Sequence, residues 1–154
     1  MTEFNHKSDS DTLARTLYGE ARGESLSGKV AVANAILNRV KADLWNDNKP
    51  DWWGEGVEGV CLKPGQFSCW NENDPNRKTI IEVTGANATF IVCRIIAELA
   101  LSDLLKDITN GATHYHTLGT LPAWASKMRQ TVEIGNHRFY NDAPPDADDA
   151  KGGI

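Results

Sequence analysis

Glu20 is the side chain whose position most strongly suggests chemistry. Leu13, Leu17 and Glu20 follow the i, i+4, i+7 spacing of one helical face, so the acid falls on the stripe that should be buried. Burial of an unpaired carboxylate favours its neutral form, and a protonated acid in a partly apolar pocket is what general acid catalysis needs near neutral pH. An ion pair with Arg15, Arg22 or Arg94 would satisfy the same burial with no chemistry at all. Glu24, just past Gly23, reads as a solvated charge or the cap of the next helix.

Other groups offer rival chemistries. Four of the five tryptophans, Trp45, Trp52, Trp53 and Trp70, are interleaved with glycine and proline in residues 43–79. Indole faces suit the C–H faces of sugars, with Gln66, Asn71 and Asn73 as amide partners, although tryptophans also pin loops to a core. His114 and His116, two apart on a strand, would point to one side, and His137 could complete a metal-binding set of three. The same histidines around Tyr115 equally suit the hydrogen-bonding wall of a groove. No Gly-rich phosphate loop and no Gly-x-Ser-x-Gly elbow is present, so phosphoryl transfer and serine hydrolase chemistry have no foothold.

These residues need elements to hold them. Ser10 and Asp11 predict a helix start, with the helix running to Gly23. A second helix opens at Ser27 and is apolar nearly all round through Leu37, the pattern of a buried helix, with Asn34 and Asn38 on one face. A third is periodic from Asn87 to Lys106 and stops at Asn110-Gly111. Residues 112–116 and 131–140 read as short strands with a turn at Gly135-Asn136. The fold class expected is α+β: a mainly helical single domain over residues 12–140, with a few short strands or hairpins and long Trp/Gly/Pro-rich loops. Residues 1–11 are expected to be a flexible N-terminus and residues 141–154 a disordered acidic tail. Cys93 reads as a buried free thiol, whereas Cys61 and Cys69 could pair in an oxidising setting.

The 154 residues carry a formal charge of -5, but the ends hold all of it, leaving residues 12–140 neutral. A neutral body has no basic field to grip a phosphate backbone or an anionic membrane surface, which counts against nucleic acid as a partner. No apolar run reaches the ~18 to 20 residues of a membrane span, so no stable membrane insertion is expected. The N-terminal residues lack the apolar run of a secretion signal, which leads to an expectation of cytoplasmic accumulation before any action at the wall or periplasm.

A longer pattern organises these residues. Leu17-Tyr18-Gly19-Glu20-Ala21-Arg22-Gly23-Glu24, followed by Gly28 to Val40, closely resembles the opening of SleB-type cell wall hydrolases, the family of the spore cortex-lytic enzyme. Gln66-Phe67-Ser68, Gly111 to His116 and Ile134 to Tyr140 are similar to later blocks of that family, in the same order. The resemblance implies a lysozyme-like catalytic domain that cleaves the MurNAc-GlcNAc β-1,4 bond of peptidoglycan, with Glu20 as the catalytic acid and no cofactor or metal. It also implies that Asn34, Gln66, Phe67, Ser68, His114, Tyr115, His116, His137 and Tyr140 line the saccharide groove. Glu24 and Glu133 are the only other acids in or beside the matched blocks. If neither faces Glu20, lytic transglycosylation is expected, with hydrolysis open if Asn34 or Ser68 holds a water. A monomer acting on glycan strands, in the setting of a phage or prophage endolysin, is the expected context. The rivals are a metal hydrolase on His114, His116 and His137, and a non-catalytic wall-binding module.

Overall fold

The computed structural model describes residues 3–42 and 52–142. Five helices precede and flank a small sheet: α1 (Glu3–Ala21), α2 (Leu26–Lys41), α3 (Gly56–Leu62), α4 (Pro75–Glu82), α5 (Ala88–Leu101), β1 (His114–Thr117), β2 (Arg129–Ile134) and β3 (His137–Asn141). Two 3-10 turns, Ser68–Trp70 and Ala123–Lys127, complete the described elements. The helical α+β class expected from the pattern is what forms.

α1 is the axis of the molecule, packed against α2, α3, α4 and α5. Leu13 and Leu17 on its inner stripe are fully buried, as are Ile36 of α2 and Phe90 of α5. Each such side chain contributes ~1.5 to 3 kcal/mol by leaving water. α2 is capped by Ser25, whose side chain accepts from the Gly28 N–H, so it begins at Leu26, one residue before the expected Ser27.

α1 starts earlier than its first cap signal. Residues 3–9, expected to lie outside the folded body, continue the helix, and polar side chains from His6 onward find partners on neighbouring helices. His6 Nε2 and Ser10 Oγ each lie 2.8 Å from Glu98 of α5, and Ser8 bonds Glu58 of α3. α5 stops earlier than expected, at Leu101 rather than Lys106. Asp103 takes a φ of 59°, and the Leu104 N–H turns back to the Leu99 carbonyl, a left-handed helix stop without glycine.

The stretch expected to be long loops is more ordered than its composition predicts. α3, the turn Ser68–Trp70 and α4 lie inside it, with Asp74 capping α4 through the Asn76 N–H and Pro75 in its first turn. Trp53 is buried, and the Trp70 indole donates to Thr16 Oγ1 at 3.0 Å, so both pin this region to the core. Trp52 is exposed under the ammonium group of Lys63. Trp45 and the tail from residue 143 lie outside the described residues. Cys61, Cys69 and Cys93 are buried free thiols, so Cys61 and Cys69 are not paired.

The sheet order is β1-β3-β2, antiparallel throughout, and β2 and β3 meet at the expected Gly135-Asn136 turn. α2 fixes the approach to β1: Asn38 Nδ2 donates to the Ala112 carbonyl at 2.8 Å and Arg39 Nε to the Thr113 carbonyl at 2.6 Å. No described helix is long and apolar enough to cross a membrane.

Candidate active site

Glu20 sits in the last turn of α1, half-buried, and no cation pairs with it among the described residues. Arg15 is spent on Asp11 and the carbonyls of Ile80, Ile81 and Val83. Arg22 donates to the Tyr18 carbonyl and to Asn76, and Arg94 lies over the Phe90 ring. The ion-pair alternative for Glu20 is therefore not realised. Tyr115 Oη donates to Glu20 Oε1 at 2.6 Å across 95 residues of chain. Burial raises the Glu20 pKa; the hydrogen bond from Tyr115 and the neighbouring Cys69 thiol pull it partly back, and the charge of Asp74 pushes it up again, leaving it above the ordinary carboxylate value. The result is an acid that holds its proton beyond the range of an exposed glutamate.

The strand register decides what the three histidines can do. Paired residues share a sheet face, so Tyr115, Thr117, His137 and Phe139 lie on one side and His114, His116, Arg138 and Tyr140 on the other. Ring contacts agree: Tyr115 meets His137 and Phe139, whereas Trp124 meets His114, His116 and Tyr140. His137 is thus across the sheet from the other two, and the three-histidine metal set expected as a rival cannot form. Among the described residues no cluster of three or more His, Cys, Asp or Glu is arranged to hold a metal.

Of the nine residues expected to line the groove, Tyr115 is the one that reaches Glu20. His116 Nε2 and Tyr140 Oη lie 2.9 Å apart with their rings stacked, a buried pair on the far face. His114 is wedged between Trp53 and Trp124, and burial together with the Arg39 charge lowers its pKa to about 4, so it is neutral near pH ~7. His137 is buried with Nδ1 3.6 Å from Glu24 Oε1. Asn34 is a correction: it is buried, donating to the Lys106 carbonyl and accepting from the Ile108 N–H, which fixes the segment after α5. Gln66 likewise ties the Trp53 and Val60 carbonyls together, and Phe67 is part of the core under Arg39. Asn34 and Gln66 are drawn inward because buried segments must satisfy their backbone groups, whereas Phe67 is buried as an apolar ring. Ser68 is exposed at the start of its 3-10 turn.

Glu24 is a second correction, since it is not a solvated charge. Its side chain is 9% exposed, and it accepts from both the backbone N–H and the amide of Asn136 at 2.9 Å. Gly135 is needed there: it has a φ of 59°, and a β-carbon would lie 2.5 Å from Glu24 Oε1. Burial pushes the Glu24 pKa up, but the Asn136 donors, with His137 and Lys29, outweigh it and the net shift is downward. A carboxylate with a lowered folded-state pKa stabilises the fold above its unfolded value, and that contribution is lost as pH falls through the folded value. Glu24→Gln should melt below the parent protein near neutral pH, with the difference shrinking in acid below pH ~4; thermal melts across pH check this.

Two residues near Glu20 escaped the sequence reading. Cys69 follows the Gln66-Phe67-Ser68 block directly, and Asp74 carries the cap-plus-proline signal of α4, so each was visible only as a structural feature.

With this geometry in place, likeness to known proteins can be weighed. The family described as Cell Wall Hydrolase matches residues 23–140. The chain belongs to the cell wall hydrolase family. The spore cortex-lytic enzyme of Oceanobacillus iheyensis is 36% identical over 141 residues, covering 86% of this chain and 41% of that protein. The one from Halalkalibacterium halodurans is 31% identical over 136 residues, covering 86% of this chain and 34% of its own. The chain thus spans well under half the length of these relatives. Among solved structures, the catalytic domain of the germination-specific lytic transglycosylase SleB from Bacillus anthracis superposes with a TM-score of 0.64 at 29% identity, covering 86% of this chain and 93% of that one. The SleB catalytic domain of Bacillus cereus gives a TM-score of 0.62 at 30% identity, covering 88% and 91%. The family match thus takes in every described element from α2 to β3, while α1 precedes it.

Proposed function

We propose that this chain cleaves the β-1,4 bond between MurNAc and GlcNAc in peptidoglycan as a lytic transglycosylase, with Glu20 as its general acid and base. The observation that carries this reading is the half-buried Glu20, without a cation partner among the described residues and with its pKa raised above the ordinary carboxylate value. Family membership and the likeness to SleB catalytic domains support it.

The acid protonates the bridging oxygen, and the C1–O bond breaks with positive charge developing on the MurNAc ring. The 6-hydroxyl of the same sugar then attacks C1 and gives its proton to the Glu20 carboxylate. A 1,6-anhydro ring closes and Glu20 is an acid again. Intramolecular attack suits a site where the other expected acids are occupied. Glu24 is bound to Asn136, and Glu133 is exposed and paired with Arg138 at 2.7 Å.

One observation favours a second reading. The charge of Asp74 reaches Glu20, and a second carboxylate that orders a water would give hydrolysis instead. Mass spectrometry of muropeptides released from purified walls separates the two, because anhydro ends lack the water that hydrolytic ends carry. Anhydro products are expected. Reducing MurNAc ends that disappear in Asp74→Asn would establish the hydrolytic route, and walls that bind the protein without releasing fragments would leave only a binding module.

A further inference from the structure

The sheet is fastened around the end of α1 at two points. Tyr115 of β1 donates to Glu20, and Asn136, in the turn between β2 and β3, donates twice to Glu24. The two acids stand four positions apart, so both attachments fall on one short stretch of chain. Tyr115 is packed on the face between them. Its ring meets His137 edge-on with centroids 5.1 Å apart, and lies 5.6 Å from Phe139, its register partner on β3. Close packing of that kind holds the phenol to one rotamer, with its oxygen 2.6 Å from Glu20 Oε1.

We propose that Tyr115 is a positioning residue for the acid rather than a saccharide contact: its hydroxyl holds Glu20 by Oε1, so that the transferable proton sits on Oε2. The proposal rests on the reading of Glu20 as the general acid. Two observations give the bond its direction. Among the described residues the Tyr115 hydroxyl has no hydrogen-bond acceptor other than Glu20, so a carboxyl that donated to it would leave the phenolic proton unbonded. Burial and the Glu20 charge push the Tyr115 pKa well up, so the phenol remains a donor across the working range. With Oε1 accepting, the acidic proton is left on Oε2. The bond also tightens as the reaction proceeds. A hydroxyl bonds a carboxylate more strongly than a neutral carboxyl, so Tyr115 stabilises Glu20 most once the proton has moved to the bridging oxygen.

The test is Tyr115→Phe, which removes one oxygen and keeps the ring in its packing. The Glu20 pKa is read by NMR titration of protein labelled at the glutamate carboxyl carbons, with Glu20→Gln identifying the resonance. It should rise by about one pH unit, the size expected from one hydrogen bond to a charged group. On glycan strands kcat should fall about tenfold with KM unchanged, and the basic limb of the kcat/KM profile should move up with the NMR value. The control is Tyr18→Phe, which deletes from α1 a hydroxyl bonded to Asn87 and should leave the Glu20 pKa in place. An unmoved Glu20 pKa in Tyr115→Phe would overturn the proposal, as would a raised KM at constant kcat, the signature of a saccharide contact. A raised pKa with an unmoved pH profile would uphold the bond and overturn Glu20 as the acid. Should Tyr115→Phe not fold, the parent protein supplies the second readout. Of the three tyrosines, the one whose Cζ resonance survives both Tyr18→Phe and Tyr140→Phe is Tyr115, and its shift should titrate with the Glu20 pKa. A flat response would also refute the proposal.

Discussion

Glu20→Gln should lower the rate of peptidoglycan cleavage by at least ~100-fold, the usual size of a general acid's contribution. The amide keeps the shape of the side chain and can still accept from Tyr115, so the fold should be unchanged and thermal melts should coincide. What is lost is the proton. Turbidity loss of a wall suspension measures the rate, and undiminished clearing by the variant would remove Glu20 from the mechanism. The parent enzyme carries a matching pH signature. On the proposed mechanism the protonated form of Glu20 does the work, and with its pKa raised, activity should persist above the range of an ordinary glutamate and fall as pH climbs through the Glu20 value.

Gly19→Ala should be destabilising by about 1 to 3 kcal/mol, the cost of overpacking a tight site, although glycine to alanine inside a helix ordinarily stabilises by up to about 1 kcal/mol. The sign reverses because the new methyl would collide with Cys69, and Ile80 stands 3.1 Å from the same point. Neither neighbour can swing away: Cys69 and Ile80 are both buried and each is the interior of its own element. Relief must come from pushing the turn Ser68–Trp70 off α1, so the loss appears as stability. Gly23→Ala is the matched control, since nothing lies within 4 Å of a β-carbon there. Denaturant melts of the two variants should diverge, and equal stability for both would show that the contact at Gly19 is not tight.

The prominence of Glu20 was legible because the helix period alone puts it on the stripe of Leu13 and Leu17. The resemblance of the Leu17–Glu24 string to a known family then supplied its role. Partners of the acid were not legible. Tyr115 was grouped with neighbours on both sides of the sheet, since strand periodicity separates alternate residues but does not tell which face meets a helix. Asn34 and Gln66 carry the right atoms for sugar binding, yet backbone groups of buried segments claim them first. Composition misread the described part of residues 43–79 because glycine and proline there mark element ends rather than a continuous loop, as Pro75 in the first turn of α4 shows. The opening of α1 was missed for a related reason: its stabilising partners, Glu58 and Glu98, are about 50 and 90 positions away.

The bond between Tyr115 and Glu20 joins positions 95 residues apart, and the Asn136 anchor on Glu24 spans 112. Closing loops of that length is entropically unfavourable until much of the chain has already condensed, so these contacts belong to the late, nonlocal part of folding. A polypeptide ending before β2 lacks the Asn136 anchor and two of the three strands. The β1–β3 pairing that seats Tyr115 against Glu20 therefore cannot form until β3 has been synthesised.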